Sequence, residues 1–266
     1  MHKITIIGSG NIGLSLAKGL VKSGKYQPQE IILTRRNLNS LNEVGALGFG
    51  VSDNNESAIK GSDIIVLAVL PQQIRRVMEE IASTVTTNQI VVSVASGVAC
   101  QDIKGILGDD KIIVRAMPNT AIAIGQSMTC IASDTASTDF LHIVKQLFEA
   151  VGSVVIIEED LMTSATALCA CGIAFFLRAI RAASQGGVEI GFHAEDALKM
   201  AIQTAKGAAD LLLHTQSHPE HEIDKVTSPK GCTIAGLNEM EHNGLSSAFI
   251  KGIKVSANKA GGLYNE

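Results

Sequence analysis

Three glycines, Gly8, Gly10 and Gly13, follow an apolar run at 3–7, and the last of them lies at the start of a helix-length segment at 12–23. The spacing G-x-G-x-x-G, placed after a strand and at the start of a helix, is typical of a dinucleotide-binding turn. The first glycine permits the tight turn, the second admits the pyrophosphate to the backbone, and the third lets the helix pack closely on the sheet. The alternative is a glycine-rich turn that only eases packing. The strand before the glycines and the helix after them have the expected spacing, and this favours a nucleotide-binding turn.

The rest of the first half alternates short β-branched runs with helix-length segments, which predicts a parallel sheet covered on both faces. The predicted strands are 3–7, 30–34, 63–69, 90–95, 111–117 and 153–157. After residue 160 the pattern becomes helical, over 161–186, 194–216 and 235–260. We therefore predict an α/β, Rossmann-type, doubly wound NADP-binding domain over 1–157 and an all-α dimerisation domain over 158–266.

The overall composition excludes some classes of partner. A formal net charge of −4 gives no electrostatic footprint for nucleic acid or an anionic membrane. The longest uncharged apolar run, 163–177, is shorter than the roughly 18 residues that suggest a membrane span, so a buried helix is expected. Five irregularly spaced cysteines argue against a disulfide framework, and no secretory signal pattern begins the sequence, so we expect a cytoplasmic protein.

The end of the second predicted strand indicates which nucleotide binds. An NAD site places Asp or Glu there for the ribose hydroxyls. Here Thr34, Arg35 and Arg36 follow instead, and they offer donors and positive charge that suit a 2′-phosphate. The alternative is that the arginines form a solvated loop face. We predict NADP(H) as the cofactor, with NADPH preferred over NADH.

Two further loops are predicted to line the cofactor, because ligands of open α/β sheets lie outside the carboxyl ends of the strands. They follow the third and fifth predicted strands and contain Pro71 and Pro118; rigid turns without ligand contact are the alternative for each. The cofactor contacts predicted from these patterns are Gly8, Ser9, Gly10, Asn11, Ile12, Gly13, Thr34, Arg35, Arg36, Ala68, Val69, Pro71, Met117, Pro118 and Asn119.

No metal site is predicted. Cys169 and Cys171 are two positions apart on a predicted helix and point in different directions, so small-residue packing explains them better than a redox or metal pair. His218 and His221 have no evident third ligand, which indicates a solvated loop.

Ordered motifs along nearly the whole chain resemble the pyrroline-5-carboxylate reductase family. They are IGSGNIG (7–13), AVLPQ (68–72), SVASGV (93–98), RAMPNT (115–120), EEDLM with TAL (158–168), QTAKGAADLL (203–212) and VTSPKGCTIAGLNEME (226–241). The last motif is the most specific, because it is close to the family's own signature.

The resemblance implies NADPH-dependent reduction of L-1-pyrroline-5-carboxylate to L-proline, the last step of proline biosynthesis, by hydride transfer to the C=N carbon. It implies an intertwined homodimer that can assemble further, with the site between the cofactor cleft and the C-terminal domain. Ser228, Gly231, Cys232 and Thr233 would form the substrate loop, with Thr233 as the catalytic residue bonded to the substrate nitrogen. Asn54 would lie near the adenine-side ribose.

Departures from the family pattern concentrate on the substrate side. CACGIAF (169–175) replaces a serine- and tyrosine-containing run, Leu70 replaces a lysine, and Lys230 replaces a glycine. Leu245 and Ser246 stand where an arginine is common. Two alternatives follow: a reductase of another cyclic imine or keto acid on the same scaffold, and a non-catalytic NADP(H)-sensing protein.

Overall fold

The computed structural model describes residues 2–134 and 136–262, which form two compact units. One unit consists of the residues up to Cys171 together with those from Val255 onward, and the other is Gly172–Lys254. The chain thus divides after Cys171, whereas the boundary after residue 157 stays a prediction.

The first unit is built on one sheet, which has eight strands within the described residues, in the order β3-β2-β1-β4-β5-β6-β7-β8. The strands are β1 (Ile4–Ile7), β2 (Ile31–Thr34), β3 (Gly50–Ser52), β4 (Ile64–Leu67), β5 (Ile90–Ser93), β6 (Ile112–Met117), β7 (Ser127–Ala132) and β8 (Gly152–Ile156). The strands β1 to β6 are mutually parallel, β7 runs antiparallel to β6, and β8 runs parallel to β7. The doubly wound α/β prediction is confirmed.

Helices cover both faces of this sheet. They are α1 (Asn11–Lys22), α2 (Asn42–Ala46), α3 (Asn55–Ile59), α4 (Pro71–Ile81), α5 (Cys100–Leu107) and α6 (Thr138–Glu149). Ile4 and Ile6 of β1 belong to a buried apolar cluster that contains residues of α1 and α6, whereas Ile7 belongs to a second cluster with residues of α4 and α5. Successive residues of a strand point to opposite faces, so near-continuous apolar strands follow from the two-sided cover.

Sequence patterns missed β3 and β7. The strand β3 has only three residues, and β7 carries polar side chains at Ser127 and Thr129 that interrupt the apolar pattern. Both residues are nevertheless buried, and hydrogen bonds satisfy their hydroxyl groups. The two hydroxyl oxygens lie 3.1 Å from each other, and that of Ser127 also accepts a hydrogen bond from the Asn119 backbone amide. A satisfied polar pair can occupy a central strand at little cost.

Two ion pairs with a buried cation link distant parts of the first unit. Lys104 on α5 lies 2.8 Å from the Asp134 carboxylate, and Arg115 on β6 lies 3.2 Å from Glu159. Glu159 also accepts a 2.6 Å hydrogen bond from the backbone amide of Cys100, at the start of α5. The segment after β8 is thereby tied to the middle of the sheet.

The helical part of the chain differs in detail from the predicted helices. It comprises α7 (Met162–Ala165), a π-helical turn (Thr166–Cys171), α8 (Gly172–Glu189), α9 (Ala194–Thr215), α10 (Pro219–Lys225), α11 (Cys232–His242) and α12 (Leu245–Gly262). The predicted helix 235–260 is two helices, because Gly244 takes a φ of 79° and ends the first. Within the second unit, α8 and α9 pack closely where Gly187 faces Ala197.

The helical stretch Glu159–Glu189 is long and apolar enough to cross a membrane by length and composition alone, and 28% of its most apolar window is buried. The expectation of a buried helix is therefore wrong for the single chain, although the predicted helical span 161–186 lies within this stretch. The helix continues past Arg178, which ended the uncharged run in the sequence. Large apolar side chains of α8 and α9, such as Phe176 and Ile202, are exposed.

Candidate active site

The glycine turn after β1 is crowded at Gly8 and Gly13 and open at Gly10. A Cβ on Gly8, whose φ is 98°, would lie 2.5 Å from the Ala68 carbonyl oxygen, and one on Gly13 would lie 2.1 Å from the Gly8 carbonyl oxygen. No atom lies within 4 Å of a Cβ built on Gly10. Gly8 and Gly13 are therefore required by packing, whereas Gly10 leaves its backbone open to a ligand.

The start of α1 can receive an anion. Gly10 is the N-cap residue, no side chain caps the helix, and its first turn contains no acidic residue. The first backbone amides of a helix have no partner within it, and the helix dipole adds positive potential there. Asn11, Ile12 and Gly13 thus present amides suited to a phosphate group.

Ser9 fastens this turn to the neighbouring strand. Its side chain is 2% exposed, and its hydroxyl donates a 3.0 Å hydrogen bond to the Thr34 carbonyl at the end of β2. The backbone of Ser9 stays part of the predicted phosphate turn. The hydroxyl itself holds the ends of β1 and β2 together.

The structure separates the roles of Thr34 and the two arginines. Thr34 is 1% exposed, and its hydroxyl donates a 2.6 Å hydrogen bond to the side-chain oxygen of Asn55. In this arrangement the hydroxyl proton is not available for a hydrogen bond to a ligand. Arg35 and Arg36 are exposed, and an Arg35 guanidinium nitrogen lies 3.4 Å from the Ser9 carbonyl oxygen. The contact of Thr34 with a cofactor stays a prediction. The arginines are exposed cationic donors of this loop, and their contact with a 2′-phosphate stays a prediction as well.

Asn54 and Asn55 have structural roles that the sequence analysis did not identify. The Asn54 side-chain oxygen accepts a 2.8 Å hydrogen bond from the Ser57 amide and caps α3. Asn55 bridges Thr34 to the Glu80 carboxylate, to which its amide donates at 3.2 Å. An Asn before a short helix is a recognisable capping signal, whereas nothing in the sequence pairs Asn55 with Thr34. The ribose contact of Asn54 stays a prediction.

The loop after β4 lies directly against the glycine turn. The Ala68 amide donates a 2.8 Å hydrogen bond to the Ile7 carbonyl, and a Cβ on Gly8 would also lie 2.7 Å from a methyl group of Val69. Pro71 occupies the first position of α4, where its missing N–H costs no hydrogen bond. Ala68 and Val69 are thus gathered with the glycines at one edge of the sheet.

The loop after β6 is held by several hydrogen bonds around Asn119. Its side-chain oxygen accepts from the Ala121 amide at 3.0 Å, its side-chain amide donates to the Cys169 carbonyl at 3.3 Å, and its backbone amide donates to the Ser127 hydroxyl at 3.1 Å. Met117 is buried and lies 3.8 Å from the Ser96 hydroxyl. Asn119 therefore positions the loop, and the cofactor contacts of Met117, Pro118 and Asn119 stay predictions.

The predicted substrate loop, residues 227–233 of the second unit, is a tight turn. Thr227 ends α10 through a 2.7 Å hydrogen bond from its hydroxyl to the Ile223 carbonyl. The Gly231 amide donates at 2.9 Å to the Ser228 carbonyl, and a Cβ on Gly231 would lie 2.5 Å from the Ser228 hydroxyl oxygen. Lys230, with a φ of 60°, adopts the left-handed conformation that glycine prefers.

The helix after this loop begins at Cys232. This start is three residues earlier than in the predicted helix 235–260, and Thr233 therefore lies in the first turn of α11. That turn has no acidic residue and no side-chain cap. Across the residues that the structure describes, the Thr233 hydroxyl has no hydrogen-bond partner. The loop can offer backbone amides to a carboxylate and a free hydroxyl beside them.

Two protein-family models match the chain. The model described as "Pyrroline-5-carboxylate reductase dimerisation" matches residues 159–263, and "NADP oxidoreductase coenzyme F420-dependent" matches residues 3–97. The first covers the helical segments with the substrate loop, and the second covers the glycine turn and the two arginines. The dimerisation match indicates a homo-oligomer.

Curated relatives match over almost the whole chain. Pyrroline-5-carboxylate reductase 1 of Dictyostelium discoideum is 50% identical over 99% of this chain, which spans only 50% of that relative's length. Pyrroline-5-carboxylate reductase 2 of the same organism is 48% identical, over 97% of this chain and 91% of that protein.

A solved structure shows the same fold. It is Plasmodium falciparum pyrroline carboxylate reductase with NADP bound, 23% identical, with a TM-score of 0.91 over 99% of this chain and 98% of that one. The match to the dimerisation model and the identity with the two Dictyostelium enzymes show that the chain belongs to the pyrroline-5-carboxylate reductase family.

Proposed function

We propose that this protein catalyses the NADPH-dependent reduction of L-1-pyrroline-5-carboxylate to L-proline. The observation that carries the proposal is the turn at 228–233, which ends in an uncapped helix start bearing the free Thr233 hydroxyl. Curated relatives of 48–50% identity bear the name of this activity. A small-molecule substrate also agrees with the absence of a basic footprint for nucleic acid.

The residues of the first unit fit a dinucleotide phosphate. The open space beside Gly10 is where the backbone would meet the pyrophosphate, and the amides of Asn11 to Gly13 would bind it. Arg35 and Arg36 would hold a 2′-phosphate, because both are exposed directly after β2 and Arg35 lies beside the Ser9 carbonyl. When bound, NADPH would supply the hydride.

The second unit would bind the substrate. The amides at the start of α11 favour its carboxylate, since the helix dipole and the unpaired N–H groups act in the same direction. The Thr233 hydroxyl would accept a hydrogen bond from the protonated imine nitrogen and would orient the C=N carbon. Water can supply that proton, so the protein's main contribution is positioning rather than general acid–base catalysis.

Lys230 supports a second candidate substrate class. It is exposed and stands in a left-handed conformation within the substrate loop, where the family pattern has glycine. An ammonium group there could pair with a second carboxylate, which would favour a dicarboxylic imine or a keto acid. The prediction of NADP(H) does not depend on which imine is reduced.

We also propose that the enzyme acts as a homodimer in the cytoplasm. The apolar side chains exposed on α8 and α9 need cover, and the family's dimerisation match includes both helices. All five cysteines are free, as a reducing compartment would leave them.

The proposed activity is tested by following NADPH absorbance with pyrroline-5-carboxylate, pyrroline-2-carboxylate and a panel of keto acids. We expect the highest kcat/KM for pyrroline-5-carboxylate, because relatives of 48–50% identity are named for its reduction. Pyrroline-2-carboxylate has the same two groups but carries its carboxylate on the C=N carbon. A higher kcat/KM for a dicarboxylic substrate, reversed by Lys230→Gly, would favour the second candidate. NADPH binding without oxidation by any substrate would indicate a sensor.

Cofactor preference should depend on the two arginines. We expect Arg35→Gln and Arg36→Gln each to lower kcat/KM for NADPH about tenfold while leaving that for NADH nearly unchanged, since each removes a charge-assisted contact of exposed groups. Steady-state kinetics with both nucleotides measure this. Lys18→Gln, which removes an exposed cation from α1, serves as the matched control. Equal losses with NADPH and NADH would contradict the assignment.

Thr233 should contribute through its hydroxyl group. We expect Thr233→Ala to lower kcat/KM by ~10–100-fold, the loss of one or two hydrogen-bond energies in the transition state. Thr233→Ser keeps the hydroxyl and should retain most of the activity. Unchanged kinetics in the alanine variant would remove Thr233 from the mechanism.

The oligomeric state can be tested on α9. Leu198, Lys199 and Ile202 line an open groove of about 430 Å³ together with Glu195 and Gln203. We expect Ile202→Glu to shift the protein toward monomer in light scattering at micromolar concentration, because it would bury a charge. Leu47→Glu changes an exposed apolar residue of the first unit and should leave the dimer intact. A monomeric unsubstituted protein would disprove the dimer.

A further inference from the structure

Two cysteines that are 39 positions apart in sequence meet in the first unit. The sulfur of Cys130, on β7, lies 3.8 Å from the sulfur of Cys169, in the π-helical turn. In the sequence, the nearest cysteine to Cys169 is Cys171, two positions away on a predicted helix, so these two side chains point in different directions. The partner of Cys169 is supplied by the sheet instead.

The pair lies in a small apolar cluster with one accessible member. Cys130 packs with Met117, Ala132, Met162 and Ala165, and it is 6% exposed. Cys169 packs against the same cluster but is only half-buried. Cys169 is therefore the more accessible residue of the pair.

The contact also makes the two thiols chemically unequal. The contact between the two sulfurs lowers the pKa of Cys169 and, together with burial, raises the pKa of Cys130. Cys169 is therefore the thiol of the pair that ionises first, and the thiolate is the nucleophile of cysteine chemistry. By contrast, burial and the nearby charge of Glu159 raise the pKa of Cys100 to about 12.

The backbone around Cys169 is the part able to close the gap. Cys130 is on a strand paired on both sides, with β6 and with β8, and is held in place. Cys169 is in a π-helical turn, a rare geometry that is frequently found at functional sites. The two sulfurs of a disulfide are about 2.05 Å apart, and those of Cys130 and Cys169 are 3.8 Å apart. Closing this gap therefore requires a movement smaller than the ~3.8 Å between successive Cα atoms.

We propose that Cys130 and Cys169 form a thiol pair that closes to an intramolecular disulfide in exchange with small-molecule disulfides. The Cys169 thiolate attacks one sulfur of the reagent, whose other half leaves as a thiolate, and a mixed disulfide results. Cys130 then loses its proton to solvent and attacks the Cys169 sulfur, which releases the second half of the reagent. Two protein thiols are oxidised and one disulfide reagent is reduced to two thiols.

The pair adjoins the loop that follows β6. Cys169 accepts the Asn119 side-chain hydrogen bond through its carbonyl, and Met117 belongs to the same cluster as Cys130. Closing the disulfide therefore acts on the residues that carry predicted cofactor contacts. The exchange chemistry itself does not depend on the proposed function, and it can be tested without substrate.

The test is oxidation of the reduced, full-length protein with oxidised glutathione, followed by blocking of free thiols and peptide mass spectrometry without reduction. We expect a cross-linked peptide that joins Cys130 to Cys169 as the main product. Cys130→Ser should retain glutathione on Cys169, because the resolving thiol is gone. Cys171→Ser, two positions from Cys169, is the matched control and should still form the cross-link.

Two results would overturn the proposal. One is glutathione that stays on Cys169 of the unsubstituted protein while Cys130 remains a free thiol. The other is equal alkylation rates of Cys130 and Cys169 in the folded, unsubstituted protein, because we expect Cys169 to react at least about tenfold faster. The second measurement needs no variant, so it holds even where Cys130→Ser fails to fold.

Discussion

The close approach of three backbone segments at the carboxyl end of β1 is the constraint on which the dinucleotide cleft depends. The Gly8 turn passes so near the Ala68 carbonyl, and Gly13 so near the Gly8 carbonyl, that any side chain at either glycine would overlap backbone atoms. This approach sets the position of α1 on the sheet and directs its uncapped start toward open space beside Gly10. The phosphate-binding capacity of the chain is a consequence of that packing.

Around this turn, polar side chains are used to hold loops rather than to face solvent. Ser9 fastens the turn to β2, and Thr34 is held by Asn55. Asn119 binds three partners at the end of β6. Side chains held in this way keep neighbouring ligand-binding groups in fixed positions, which lowers the cost of ordering them when a ligand binds.

The second unit combines an exposed apolar surface with a compact polar loop. Its helices α8 and α9 expose side chains such as Phe176 and Ile202 that a single chain leaves uncovered. The loop before α11 is instead tightly closed, with Gly231 bonded to Ser228 and Lys230 in a left-handed conformation. A loop with few internal freedoms can discriminate among small anions. Lys230 is the residue within this loop at which the chain departs from the family pattern described above.

Local patterns in the sequence determined most of the alternating strands and helices, the glycine turn and the tight turn before α11. Each of these follows from the side-chain period or backbone conformation of a few adjacent residues. Tertiary structure alone decided that β7 buries Ser127 and Thr129, that the Thr34 hydroxyl donates a hydrogen bond to Asn55, and that Cys169 lies beside Cys130. These pairings join residues through the order and register of the strands, and a local pattern carries no information about which distant segment lies alongside.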